Sequence, residues 1–145
     1  MAEIQIRKLR KGDGKAVMNI IKSIAKRSIT IDYEKIINEE SGRRDNGSFV
    51  AIADDVVVGF VISYVLSGVF GIEKSAWIAM IGIDPRYMDQ GIGKRLADEI
   101  FSFYKLKGIL NIFTSVRWDS PDMLSYFKTI GFDRSSYINL IKTLD

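Results

Sequence analysis

The chain contains no cysteine and no histidine in 145 residues. Without cysteine there is no thiol nucleophile, no Cys-ligated zinc or iron–sulfur centre and no redox dithiol. Without histidine there is no Ser-His-Asp triad, no imidazole base and no His-ligated metal. Acid–base chemistry is left to Asp, Glu, Lys, Tyr or water, and no metal site is expected. An intermediate on an unactivated serine has nothing to support it, so direct transfer between two bound substrates is the favoured mode of group transfer. Long apolar runs are also missing. None approaches the roughly 20 residues of a membrane span, and the first seven residues lack a signal-peptide stretch. The expectation is a soluble, cytoplasmic protein with no membrane partner. There are only two prolines, and no linker, repeat or low-complexity tract, so one domain over residues 1–145 is expected.

What is present is core material: 47% of the residues are hydrophobic. A chain this long buries roughly 68–70% of the surface it would expose unfolded. Charge is nearly balanced, at 21 Lys and Arg against 18 Asp and Glu. The excess lies in the first 45 residues, with 11 basic against 7 acidic. It reads as solvated helix surface; no base-stacking motif accompanies it, so no nucleic-acid partner is expected.

Alternation over residues 3–9 predicts a first strand. Val17, Ile20, Ile21, Ile24 and Ser28 recur at three and four, one face of a helix with Lys15, Lys22, Lys26 and Arg27 off it. Asp32 suits the N-cap of a shorter helix carrying Tyr33, Ile36 and Ile37. Residues 42–47 read as a loop. Residues 48–53 and 56–65 read as strands joined by an Asp54-Asp55 hairpin turn rather than a metal site. A loop over 66–75 and a strand over 76–83 follow, the strand ended by Asp84-Pro85. A helix begins at Gly91-Ile92-Gly93, with Ile92, Leu96, Ile100 and Phe103 along one stripe, and Gly108 closes it. Residues 109–116 read as a strand. Asp119 or Ser120, with Pro121 just inside, opens a helix holding Met123, Leu124, Phe127 and Ile130; Gly131 ends it. Residues 132–144 read as a last strand. The order β-α-α-β-β-β-α-β-α-β gives a mixed sheet with helices on its faces.

Residues 81–96 run strand, loop, Gly-x-Gly, helix. Unpaired amides at a helix start, with the helix dipole behind them, favour an anion, and glycines allow close approach. Two nucleotide motifs are excluded. A dinucleotide fingerprint needs a third glycine where Leu96 stands, and a phosphate-binding Walker loop needs Gly at 88 and Ser or Thr at 95, where Met88 and Arg95 stand. What the stretch resembles is the acyl-coenzyme-A loop of the GNAT superfamily of N-acetyltransferases: Arg/Gln-x-x-Gly-x-Gly/Ala after a strand ending Val/Ile-x-Pro. Ile83-Asp84-Pro85 and Met88-Asp89-Gln90-Gly91-Ile92-Gly93 fill it. The run Tyr126-Phe127-Lys128-Thr129-Ile130-Gly131-Phe132 resembles a second family feature, about 35 residues downstream as the family has it.

The resemblance implies an α/β (α+β) GNAT-like fold, a mixed and mostly antiparallel sheet flanked by about four helices. It implies acetyl-coenzyme A as co-substrate and a primary amine as acceptor: a protein N-terminus, a lysine or a small amine. Amides of Gln90, Gly91, Ile92, Gly93 and Lys94 would cradle the pyrophosphate, with Met88 and Asp89 beside them. Backbone of Met80, Ile81 and Ile83 would bond the pantetheine arm between strands 76–83 and 109–116, and Ser120 and Phe127 would border the coenzyme. Four positions depart from the pattern. Met88 stands at the family's Arg or Gln. Phe127 stands at its tyrosine acid, Ser120 at its Asn, and Trp77 where some members carry a glutamate base. Tyr126, Glu73 and Asp84 are therefore the candidate catalytic residues, with core packing the rival role for Tyr126 and strand termination for Asp84. Trp77 and Trp118 are read as packing residues or as substrate walls. Residues 28–47, 66–75 and 133–140 would set acceptor choice. The departures keep a second reading open, a GNAT-fold module that binds acyl-coenzyme A and transfers slowly or not at all. Monomer and homodimer both stay open.

Overall fold

The computed structural model describes residues 3–25 and 28–145. Five strands form one sheet in chain order: β1 (Ile4–Lys8), β2 (Phe49–Ala53), β3 (Val56–Ser67), β4 (Lys74–Ile83) and β5 (Ile112–Thr114). Neighbours are antiparallel except the parallel β4–β5 pair. Four helices flank the sheet: α1 (Gly14–Ile24), α2 (Tyr33–Glu40), α3 (Ile92–Leu106) and α4 (Pro121–Thr129). One face of the sheet packs Val50, Phe60 and Ile62 against Val17, Ile20 and Ile37 of α1 and α2. The other packs Ala51, Val61, Ala76 and Ile78 against Leu96 and Ile100 of α3 and Phe127 of α4.

Local chemistry sets the element ends. Lys35 N donates to the Asp32 carboxylate at 3.1 Å, the expected cap of α2. Gly108 takes φ 75° and Gly131 φ 104°, so the chain turns out of α3 and α4 where a side chain would be strained. Asp54 and Asp55 both have positive φ, 51° and 63°, as the central residues of a primed hairpin turn do.

Four expectations are corrected. Helix α1 stops at Ile24, so Ser28 lies beyond it; Lys26 and Arg27 fall outside the described residues. The hairpin ladder continues through Leu66–Ser75 and Ser67–Lys74 pairs, which leaves only 68–73 as loop, tightened by Gly68 and Gly71 at positive φ. Only Ile112, Phe113 and Thr114 of the 109–116 stretch join the sheet, because β5 leaves β4 beyond Thr114. Residues 132–144 form no strand. Ile138, Leu140, Ile141 and Leu144 are 80–93% exposed, and a three-residue β5 offers them little edge to extend.

Asp13, buried before α1, binds β1 and its own turn. Arg7 donates to both its carboxylate oxygens (2.8 and 2.9 Å), and Arg10 N donates at 2.8 Å. Burial alone would raise the Asp13 pKa, but these donors prevail and hold it below the usual carboxylate value. A lowered folded-state pKa gives stability that is complete above the unfolded value of about 3.9 and lost as pH falls through the folded one. Asp13→Asn is therefore expected to lower stability by about 2 kcal/mol at pH 7, the scale of a hydrogen bond to a charged group. Urea titrations should show that deficit shrinking below pH ~3. A deficit that stays constant down to pH 2 would mean the charge contributes nothing.

Candidate active site

The loop after β4 ends in a bare helix start. Gly91 is the N-cap of α3, has φ 75° and supplies no side-chain cap; the first intrahelical bond is Arg95 N to Gly91 O at 3.1 Å. The amides of Ile92, Gly93 and Lys94 thus have no acceptor within the helix. Nothing lies within 4 Å of where a Gly91 Cβ would be, an open cradle against the backbone. The residues fit a phosphate-bearing coenzyme in that donor set. Ile92 can offer only its backbone, since its side chain is buried in the core between sheet and helices. Met88, Asp89 and Gln90 are exposed, with Asp89 at φ 63°.

Gly93 has a different reason to be glycine. A Cβ there would sit 3.0 Å from the Tyr126 ring, and Tyr126 Oη donates to Gly93 O at 2.7 Å. Burial, and secondarily Asp98, pushes the Tyr126 pKa up to about 12. The hydroxyl therefore ties α4 to the first turn of α3. Phe127 faces the core, edge-on to Tyr126 and Phe132. The two nearby cations are engaged elsewhere: Lys94 with Asp98 at 3.0 Å, and Arg95 with the carbonyl of Ile4 in β1.

Beside this helix start the sheet splits. β4 pairs with β5 only through Ala76, Trp77 and Ile78, and Thr114 Oγ1 donates to Ile78 O at 3.0 Å. Beyond that point, among the described residues, the β5-side edge of Met80, Ile81 and Ile83 has no strand beside it. At the split β4 carries a bulge: Ile62 pairs with Met80 but Ser63 with Ile78, which leaves Ala79 as the extra residue. Ala79 is exposed. Bulges re-aim backbone groups and recur next to active sites. Alternating hydrophobicity gives no sign of this one.

The two candidate carboxylates lie far apart. Glu73 and Asp84 flank opposite ends of the ten-residue β4, about 30 Å of chain. Glu73 is exposed, and its backbone carbonyl accepts from Gly68 N. Asp84 is buried and accepts from Arg86 N (3.0 Å), Nε (3.2 Å) and Nη2 (2.9 Å). The Arg86 side chain and backbone donors hold its pKa below the usual carboxylate range, which suits an anchor for the turn better than a proton acceptor.

An open cleft of about 600 Å³ lies between the α1–α2 connection and the β5–α4 connection. Ile24, Ile29 and Ile31 line one side, Arg117, Asp119 and Ser120 the other. Arg117 and Asp119 pair at 2.8 Å. Ser120 is the N-cap of α4 without a side-chain cap bond. Trp118 is 86% exposed, so it is not a core-packing residue. The cleft was not legible as a site in the sequence, because its walls come from segments 86 or more residues apart.

A mixed sheet that parts at its parallel pair, with a bare helix N-terminus at the parting, is the architecture of an acyl-coenzyme-A-dependent transferase fold. The chain belongs to the acetyltransferase (GNAT) family, whose sequence profile matches residues 10–132. A 54-residue stretch is 37% identical to the N-alpha-acetyltransferase RimI of Mycobacterium tuberculosis, covering 37% of this chain and 32% of that one. The chain thus spans about a third of the length of that curated relative. Among solved structures it superimposes on aminoglycoside acetyltransferase AAC(6')-Iy in complex with a coenzyme A bisubstrate analogue, with TM-score 0.81 and 16% identity, covering 99% of this chain and 100% of that one. It also superimposes on the ribosomal-protein-S18-alanine N-acetyltransferase of Escherichia coli, with TM-score 0.76 and 20% identity, covering 92% and 80%. At those identities the likeness concerns the fold.

Proposed function

We propose that the protein transfers an acetyl group from acetyl-coenzyme A to a primary amine. The observation that carries this reading is the unpaired edge of residues 80–83 running directly into the uncapped start of α3. That is a strand edge for an extended amide-bearing arm, followed by amides for its phosphates. The co-substrate supplies the activated acetyl group. The chain supplies amides from residues 91–94 for the phosphates, the β4 edge for the arm, and backbone re-aimed by the Ala79 bulge to polarise a carbonyl at the split. A neutral amine attacking directly needs neither cysteine nor histidine. A protein N-terminus or a small amine, the kinds of acceptor in the names of the N-alpha-acetyltransferase and aminoglycoside acetyltransferase relatives, and a lysine all meet that requirement.

A specific observation favours a second reading, coenzyme binding with slow transfer. The Tyr126 hydroxyl at the helix start is hydrogen-bonded to Gly93 and hard to ionise. Thiol release from acetyl-coenzyme A with a panel of amines and peptides separates the two. The chain has no cysteine to add background. Amine-dependent release supports transfer, and coenzyme binding without release leaves the module.

Asp89 bears directly on the coenzyme. Its carboxylate lies two residues before the open cradle, where it repels a pyrophosphate. The left-handed backbone at φ 63° is tolerated by Asp and Asn but strained for an arginine. Asp89→Asn is therefore the clean charge test. Coenzyme A is expected to bind roughly two- to fivefold more tightly, the scale of one charge at a helix terminus, with the gain largest at low salt. Calorimetric titration showing weaker binding at low salt would mean the carboxylate faces away from the phosphates.

A further inference from the structure

Four aromatic rings sit at the sheet split and belong to neither hydrophobic core: Phe70, Trp77, Phe113 and Tyr137. Trp77 stacks on Phe113 with centroids 4.6 Å apart and planes at 20°. Phe70 lies 6.0 Å from Trp77 and 5.9 Å from Tyr137, and Tyr137 lies 6.2 Å from Phe113. Phe70 is 68% exposed and Tyr137 46%. Packing between helices and sheet does not explain this cluster, and a contiguous exposed apolar patch marks a contact for something else.

A second observation is independent of exposure. Phe70 holds φ 52°, ψ 29°, a left-handed conformation that is strained for a bulky side chain. Its carbonyl accepts from Tyr137 Oη at 3.2 Å. Backbone strain is therefore maintained where it keeps one ring beside the other three.

The position of the cluster selects its occupant. Trp77 and Phe113 are the register pair just before the last pair, Ile78 and Thr114, so the rings stand one residue from the split. Trp77 lies directly across from Tyr64 and so shares its face of the sheet. Tyr64, Met80 and Ile29 of the α1–α2 connection pack on one core, while the start of α3 belongs to the other face. A coenzyme at α3 and a body against these rings would meet through the split from opposite sides. Among the described residues the nearby cleft is lined by isoleucines, and its Arg117 pairs with Asp119. Nothing in that described lining selects a polycation.

We infer that these rings form the acceptor wall, and that the preferred acceptor is an amine carrying an aromatic ring on a spacer of about two carbons. The spacer follows from geometry: one residue of strand is about 3.3 Å, so a ring on the wall places its amine at the split only through a short linker. This inference rests on the transfer reading above, and its failure can be told apart from failure of that reading.

The test uses the full chain with 2-phenylethylamine, n-butylamine and spermidine in the thiol-release assay. The expected result is kcat/KM at least tenfold higher for 2-phenylethylamine than for either of the others. Phe70→Gly removes one ring and suits the backbone at φ 52°, so folding is not penalised. It is expected to raise the KM for 2-phenylethylamine at least tenfold and to leave the KM for acetyl-coenzyme A unchanged. Equal rates for the aryl and alkyl amines, a faster reaction with spermidine, or an unmoved KM in Phe70→Gly would overturn the wall while leaving transfer intact. If no amine releases thiol, the transfer reading fails, and equilibrium binding still decides the wall. The chain has two tryptophans, so a Trp118→Phe background leaves Trp77 as the sole reporter. Saturable quenching by 2-phenylethylamine that weakens in Phe70→Gly supports the wall, and no saturable quenching overturns it.

Discussion

Gly91→Val is expected to lose at least tenfold in coenzyme A affinity, about 1.4 kcal/mol, with little change in thermal stability. Gly91 has φ 75°, where a β-branched residue is a genuine outlier. The loop must shift to accept valine, and the amides of Ile92, Gly93 and Lys94 then no longer converge. Because the loop is exposed and no atom lies within 4 Å of the added Cβ, the rest of the fold is spared. Gly91→Asn separates two causes, since Asn tolerates the left-handed region. If affinity depends on backbone shape alone, the Asn variant binds nearly as the parent does. If the phosphate occupies the open space at Gly91, both variants lose. Calorimetric titration reads both, and unchanged affinity in a folded Gly91→Val would remove the coenzyme from this turn. Gly93→Val is a poorer probe, because its side chain would strike the Tyr126 ring and disturb the α3–α4 contact.

Gly14→Ala is expected to destabilise the protein by about 2 kcal/mol, against the sign that helix propensity gives. Alanine is favoured over glycine by about 1 kcal/mol in a helix interior, which is an upper bound for Gly14 as the first residue of α1. Here the added Cβ would lie 2.5 Å from Glu34 O and 2.7 Å from Asn38 Oδ1. The first contact is backbone and cannot swing away. Asn38 Oδ1 accepts from both Gly12 N and Gly14 N at 3.1 Å, so moving α2 also breaks those bonds. Overpacking costs of about 1–3 kcal/mol, with the lost bonds added, outweigh the propensity gain. A lower urea midpoint with an unchanged m-value is the expected signature. A higher midpoint would show that α1 and α2 part at negligible cost.

Much of the fold was legible because its elements carry their own periodicity and punctuation. Val17, Ile20 and Ile21, the Asp32 cap, the Asp54-Asp55 turn and Gly108 each stand where local chemistry alone puts them. The turn into α3 at Gly91 was legible for the same reason, being contiguous. Residues 132–144 misled: Ile138, Leu140 and Ile141 have strand composition, but a strand requires a partner edge, and composition does not supply one. The side chains around the split were illegible for another reason. Phe70, Trp77, Phe113 and Tyr137 come from four separated segments, and no local pattern announces that they converge. The roles of Tyr126 and Asp84 turn on hydrogen bonds, one to Gly93 O and three from Arg86, that spacing does not encode.

The extra residue at Ala79 changes the phase of β4. Ala76 and Ile78 point to the same core as Ile81 and Ile83, an offset of three between the two pairs where a regular strand repeats every two. The strand is therefore two short rods joined out of step. Substitutions upstream of Ala79 alter the surface around Trp77, and those downstream alter the edge beside α3, with neither set inheriting the other's orientation. A lineage can vary one half while the other is held constant. Deleting residue 79 would undo that independence in a single event, putting Ile81 and Ile83 in regular two-residue step with Ala76 and Ile78 and removing the bulge that re-aims the backbone at the split.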